Sequence, residues 1–300
     1  MPKSNTIKKL HPNNRFNTQY DFDQLIKNVP QLSSHIKQNP LGEKTINFSN
    51  PQAVKLLNTA LIYSSYPINY WDFPASNLCP PVPGRADYIH YLADLLNSSK
   101  PNTQHITILD IGVGASLIYP ILGVCEYNWQ FVASDISSSS LKSAQIIINQ
   151  NPLLQPKITL RKQHQKENIL VGVLHSSDYF HAVMCNPPFF ASQKEADYQT
   201  NRKIKNLSKQ NKNISKTRNF SGQANELWYE GGEKAFVNKL INESKMYAQQ
   251  IEWFTCLISN RDLIKGFQKS IQSIGANICQ IIEMHQGNKT SKILAWTYKK

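Results

Sequence analysis

A chain of 300 residues with 40% hydrophobic content can bury one large core or two modest ones, which excludes disorder throughout. Lys and Arg outnumber Asp and Glu by 33 to 20, a formal charge of +13, so a polyanion, nucleic acid first, is the expected partner, although charge speaks to association and not to fold. The five cysteines, Cys79, Cys125, Cys185, Cys256 and Cys279, are odd in number and lack any C-x-x-C pair, which argues against a disulfide framework or a zinc knuckle and for free thiols in a reducing compartment. No metal site is expected.

At the N-terminus no basic start leads into an apolar stretch, and uncharged runs such as Leu56 to Trp71 are broken by Asn, Ser and Pro. A soluble, cytoplasmic protein without a membrane span is therefore expected. The first hundred residues are poor in Gly and rich in Pro and Asn, with helical patterns at Pro51 to Ser64 and Arg85 to Asn97. In the second of these Tyr88, Tyr91, Leu92, Leu95 and Leu96 recur at helical spacing and should lay one apolar face on something larger. The polar run Ser98 to Asn102 reads as a boundary between an N-terminal helical region, 1–100, and a main domain, 101–300.

From Ile106 onward short apolar runs alternate with helical patterns, the ordering of a doubly wound α/β sheet with parallel strands. Strands are predicted at Ile106 to Ile111, Phe131 to Asp135, Ile158 to Arg161, Ala182 to Cys185 and Trp253 to Ser259. Helices are predicted near Leu117 to Leu122, Leu141 to Asn149 and Glu233 to Ala248. Ile278 to Met284, the turn His285 to Thr290 and Lys292 to Tyr298 form a C-terminal antiparallel hairpin that closes one sheet edge. One segment breaks the alternation. Gln193 to Asn219 carries Lys194, Arg202, Lys203, Lys205, Lys209, Lys212, Lys216 and Arg218 against only Glu195 and Asp197, a net +6. It is too polar to bury the surface that ordering requires, and reads either as a phosphate-contacting loop or as a solvated insertion.

Ile106 to Ser116 reads I-T-I-L-D-I-G-V-G-A-S: a buried strand, an acid at its end, and a Gly-x-Gly turn opening a helix. Gly112 and Gly114 permit a tight turn and close approach of a ligand, and the helix start offers unpaired N–H groups. Such turns also occur in ordinary loops, and Leu117 stands where a dinucleotide fingerprint needs Gly or Ala. Asp110 ends the first strand, where it could hold a ligand's charged amino group. Asp135 ends the second, where its carboxylate could accept from two ribose hydroxyls or merely cap the next helix. Together the strand, both acids and both glycines have the layout of an S-adenosylmethionine site, with Asp110, Gly112, Gly114, Asp135 and also Asn186 as cofactor-binding candidates.

After the fourth predicted strand comes Asn186-Pro187-Pro188-Phe189, then Phe190. The nitrogen lone pair of an exocyclic amine is delocalised into its ring, so methylation requires it to be drawn out of conjugation. The Asn186 side-chain oxygen and the Pro187 carbonyl can each accept one amine hydrogen, and the paired prolines hold those acceptors without a competing N–H. Phe189 offers a flat face for a base removed from its stack. By itself a Pro-Pro turn could simply end a strand. Here both motifs emerge at the carboxyl edge of one sheet, where such sheets bind ligands.

These segments resemble the bacterial 23S ribosomal RNA adenine-N6 methyltransferases of the methyltransferase-10 group. The likeness runs through Leu10 to Arg15, Tyr20 to Phe22, Pro80 to Tyr91, Asp110 to Ala115, Asn186 to Phe190, Gly231 to Glu233, Trp253 to Thr255 and Gln286 to Lys289, essentially the entire chain. Ser116 and Asn288 depart from the group's Asn and Gln. The resemblance implies a Rossmann-like methyltransferase sheet and S-adenosylmethionine as cofactor. It implies transfer of a methyl group to the N6 amine of one adenine in 23S rRNA, free or within an assembling large-subunit particle. It further implies Arg85 as a cofactor contact, by a guanidinium fork suited to the methionine carboxylate, although its neighbours alone suggest a helix-surface charge. An N-terminal region that helps hold RNA is implied too, with Lys8, Lys9 and Arg15 as phosphate contacts beside Phe190, Arg202, Lys203 and Lys205. Two other readings stay open: methylation of a glutamine side-chain amide, which the same Asn-Pro-Pro chemistry would serve, and a non-catalytic RNA-binding module.

Overall fold

The computed structural model describes residues 9–99, 104–192, 194–195, 228–286 and 289–300. The N-terminal hundred residues contain helix α1 (Phe22–Asn28), the short strands β1 (Ile36–Gln38) and β2 (Lys44–Ile46), and helices α2 (Pro51–Ser65) and α3 (Val82–Ser99). The antiparallel β1–β2 pair was not legible in the sequence, because strands of three residues carry no measurable alternation. Helix α2 starts where expected: the Asn50 side chain accepts from the amides of Gln52 and Ala53, and Pro51 occupies the first turn, where its missing N–H costs nothing. Helix α3 begins three residues before Arg85, with Pro83 tolerated in its first turn for the same reason.

The main sheet is built from β3 (Thr107–Ile111), β4 (Gln130–Asp135), β5 (Ile158–Lys162), β6 (Phe180–Cys185), β7 (Ile251–Ile258), β8 (Ile278–Gln286) and β9 (Lys289–Thr297). Their order is β5-β4-β3-β6-β7-β9-β8. Strands β3 to β7 are mutually parallel, and β9 runs antiparallel to both of its neighbours. The hairpin therefore closes the edge as expected, but its return strand is the inner one, with β8 outermost. This is the doubly wound sheet anticipated from the sequence. Helices α4 (Ile118–Tyr127), α5 (Ser138–Asn149), α6 (Gly232–Ser244) and α7 (Ile264–Ser273) flank it.

Alternation along the strands sorts the core into two faces. Ile108, Ala182, Trp253 and Ala295 point to one face, where Leu92 of α3, Ile121 of α4 and Ile147 of α5 cover them. Leu109, Val183, Phe254 and Trp296 point to the other, against Val237 and Leu240 of α6 and Phe267 and Ile271 of α7. The first face also takes Phe22, Leu32, Ile62 and Trp71, so the N-terminal residues share one continuous apolar core with the sheet. No described helix is long and apolar enough to cross a membrane.

Candidate active site

The carboxyl ends of β3, β4 and β6 bring the two sequence motifs together. After β3 the chain turns at Gly112 (φ 74°), and the amides of Gly112 and Val113 both donate to the Ser134 carbonyl of β4, at 2.9 and 3.0 Å. Gly114 also has a left-handed φ, 67°, a conformation that costs other L-residues about 1–2 kcal/mol. Two neighbours hold the carbonyls that follow: Ser143 Oγ donates to Ala115 O at 3.1 Å, and the Trp71 indole N–H donates to Ser116 O at 2.7 Å.

Asp135 ends β4 as predicted. Its Oδ2 accepts from the Gly114 amide at 2.9 Å and its Oδ1 from Ser137 at 2.8 Å. The helix cap itself is Ser137, whose side chain accepts from the Ser140 amide. The carboxylate thus ties the glycine turn to the start of α5 and still faces the cavity. Burial pushes its pKa up, and the amides of Ser137, Gly114 and Ile136 pull it back.

Asp110 is fully buried behind the cavity wall. Among the described residues neither of its carboxylate oxygens has a hydrogen-bond partner. Burial, then the neighbouring Asp135, raise its pKa to about 8, while Arg85 opposes the shift. Arg85 does line the cavity. One Nη donates to the Tyr119 hydroxyl at 3.1 Å and the guanidinium lies 5.6 Å over the Tyr119 ring, so the fork is held by its flat face and one edge.

Asn186 follows β6 directly, and its Oδ1 is a buried acceptor without a partner among the described residues. Pro187 is buried, Pro188 lines the cavity, and Phe189 stands 36% exposed just outside. The Phe190 carbonyl accepts from the Tyr229 amide at 3.0 Å, and Phe190 bridges Trp228. The chain before and after the segment that carries the basic insertion is therefore tied together at the mouth of the site.

The cavity has a volume of about 400 Å³, in the range of small-molecule pockets. Arg85, Gly112, Gly114, Asp135, Asn186 and Pro188 line it together, so six sequence-predicted residues converge there. Asp110, Pro187, Phe189 and Phe190 adjoin these residues in the chain without lining it. Lys9 and Arg15 are both exposed, although Arg15 is tethered, its Nε donating to Glu126 at 2.9 Å with the guanidinium 5.4 Å over Tyr66. Lys8, Arg202, Lys203 and Lys205, like most of the basic segment, lie outside the described residues.

Sequence reasoning missed Trp71, Tyr119 and the segment from Gln163 to Ile169, all of which line or brace the cavity. Tyr119 could have been suspected, since it falls in the first helical turn after the glycines. Trp71 gave no signal, because its partner lies 45 residues away. The donor set fits S-adenosylmethionine. Asn186 presents an unpartnered buried acceptor at the cavity, the unpartnered Asp110 carboxyl lies directly behind its wall, Asp135 offers a carboxylate for hydroxyls, and Ile111, Val113, Ile118 and Ile136 supply apolar wall.

Comparison with known proteins points the same way. The family model of the methyltransferase-10 RNA methyltransferases matches residues 4–300. The ribosomal RNA large subunit methyltransferase F of Flavobacterium johnsoniae is 47% identical over 294 residues, covering 96% of this chain and 93% of that protein. The protein of the same name from Vibrio cholerae is 46% identical over 301 residues, covering 97% and 83%. Among solved structures, the catalytic domain of human METTL16 in complex with a MAT2A 3′UTR hairpin superposes with a TM-score of 0.82 at 29% identity, covering 98% of this chain and 96% of that one. The N-terminal domain of human METTL16 in complex with SAH gives 0.78 at 26% identity, covering 98% and 100%.

Proposed function

The chain belongs to the methyltransferase-10 family of RNA methyltransferases, and from that premise we propose that it transfers a methyl group from S-adenosylmethionine to the N6 amine of an adenine in 23S ribosomal RNA. It is a Rossmann-type, S-adenosylmethionine-dependent methyltransferase that acts on ribosomal RNA. The choice of 23S rRNA and of the adenine N6 is our reading. The observation that carries it is the buried, unpartnered Asn186 Oδ1, held at the cavity wall between the end of β6 and the rigid Pro187-Pro188 pair.

The cofactor supplies an electrophilic methyl group on a sulfonium. The protein's part is to hold the amine. Asn186 Oδ1 and the Pro187 carbonyl each accept one N6 hydrogen, which localises the lone pair and turns it towards the methyl. An orphaned acceptor at such a point gains a partner only when substrate enters, so its hydrogen bond favours the bound, pyramidalising amine. With the cofactor bound, transfer would leave the nitrogen cationic, its extra proton would pass to solvent, and the sulfonium would depart as a neutral thioether. No strong base need act before attack. Phe189, partly exposed beside the acceptors, supports stacking of the extruded base.

The exposed Lys9 and the basic segment 193–219 support an RNA-contacting role for the N-terminal region and the insertion, as phosphate contacts that place the RNA. Total RNA and, in parallel, ribosomal particles from cells lacking the gene, incubated with the purified protein and methyl-labelled cofactor, test the proposal. Label is expected in N6-methyladenine at one 23S position. Label at another atom, in another RNA, or in glutamine of a ribosomal protein would overturn it.

A further inference from the structure

Glu243 lies on α6, on the sheet face opposite α3, and plays no part in the chemistry described above. It is buried, 4% exposed, yet its carboxylate meets a row of main-chain donors. The Ile169 amide donates to Oε1 and Oε2 at 3.2 and 3.1 Å, and Oε2 also accepts from Leu170 at 2.6 Å and Val171 at 3.0 Å. Three successive amides converging on one side chain 72 to 74 residues away form a built receptacle for a carboxylate. Charge-assisted bonds of this kind are short and about twice as strong as neutral ones, which offsets the cost of burying the charge.

What Glu243 holds is the wall of the cofactor cavity. After β5 the chain forms neither strand nor helix until β6, so its amides have no ladder to join. The segment is fixed at one end by the Gln163 amide donating to the Asp135 carbonyl at 3.0 Å, and at the other by Glu243. Gln163 Nε2 spans the two, donating to Val171 O at 2.8 Å. The inward side of this strap, Asn168 and Ile169, lines the cavity together with Asp135.

We propose that Glu243 is a positioning residue for cofactor binding: its carboxylate pins the amides of residues 169–171, which holds Asn168 and Ile169 in the cavity wall beside Asp135, and so sets cofactor affinity without touching the cofactor. This rests on the cavity's being the S-adenosylmethionine site. Glu243→Gln is nearly isosteric, but its amide presents two N–H donors to a row of N–H donors and leaves one oxygen for three amides.

Calorimetric titration of the full chain with S-adenosylhomocysteine, beside hydrogen exchange of the segment, tests it. E243Q is expected to raise the Kd at least ten-fold, to speed exchange at Ile169–Val171, and to leave cofactor-free RNA affinity unchanged. In turnover it should raise the cofactor KM while kcat at saturating cofactor stays within two-fold. Should E243Q not fold, E243D decides, because it keeps the charge and shortens the reach: a Kd raised at least three-fold is expected. Wild-type affinity in E243Q, or in E243D where that variant decides, overturns the inference alone. A wild-type protein that does not bind S-adenosylhomocysteine overturns the reading of the cavity and this inference with it.

Discussion

The indole N–H of Trp71 donates to the main-chain oxygen of Ser116 at 2.7 Å, and both residues are buried. One residue stands between α2 and α3 of the N-terminal region and the other closes the glycine turn of the cofactor cavity. The shape of that turn therefore depends on the first hundred residues as well as on the sheet. Replacing Trp71 with Phe removes the donor, leaves a buried carbonyl without a partner and opens a small void, costing on the order of 1–3 kcal/mol. Trp71→Phe is expected to lower the denaturation midpoint and to weaken S-adenosylhomocysteine binding several-fold. Loss of stability with unchanged affinity would separate the bond from the cofactor site.

Asp110 yields a pH dependence of definite sign. In the folded protein it keeps its proton up to about pH 8, whereas the unfolded chain releases it near the ordinary 3.8. Between those values the folded state binds more protons, so this group makes stability fall as pH rises from about 4 to about 8 and contributes no further change above. Asp110→Asn keeps the shape but cannot ionise. The cofactor-free variant should melt close to the wild type at pH 4 and increasingly above it towards pH 8. The same substitution removes the charge available to a cationic ligand and should weaken cofactor binding by about 1.5–3 kcal/mol. A melting difference that does not change with pH would show that the carboxyl ionises in the folded protein as readily as in the unfolded chain, so that burial does not raise its pKa.

For the insertion the expectation comes from charge alone. Eight Lys and Arg between residues 193 and 219 against two acids give the segment nearly half of the chain's net charge. If these groups displace counterions from RNA, neutralising them should flatten the salt dependence of RNA affinity by about 0.7 in log–log slope per lost phosphate contact on single-stranded RNA. Equal slopes for the wild type and the neutralised variant, measured across salt with cofactor absent, would leave the segment as a solvated insertion.

The parts of this fold that could be read in the sequence are those specified locally. The parallel strands declare themselves as short apolar runs, and Gly112, Gly114 and the Asn186-Pro187-Pro188 turn as conformations few other residues allow. Asp110 and Asp135 were placed by strand ends. The remaining features depend on partners distant in sequence. Nothing about Glu243, in an ordinary amphipathic helix, announces three amides on another segment, and Arg15 reads as a free surface cation until Glu126 is found beside it. The inner position of β9 is likewise a matter of strand order, which periodicity does not encode.

Asn186 and Phe189 should fail in different ways when altered. The Asn186 oxygen is buried at the cavity and unpartnered among the described residues, so its truncation removes an interaction made with the reacting amine while sparing most of the cofactor's contacts. Asn186→Ala is expected to keep S-adenosylmethionine affinity within a few-fold of the wild type and to lower the rate of methyl transfer about 100- to 1000-fold, as commonly follows loss of one preorganised polar contact at a reacting centre. Phe189, partly exposed outside the cavity, acts instead through stacking worth roughly 1–3 kcal/mol per base. Phe189→Ala should therefore weaken productive RNA engagement and recover much of its rate at high RNA concentration, which Asn186→Ala cannot do. Single-turnover transfer with saturating cofactor, measured across RNA concentration, distinguishes the two. If Asn186→Ala transfers methyl at close to the wild-type rate once RNA saturates, the amine is activated by another group and the role assigned to that side chain is wrong.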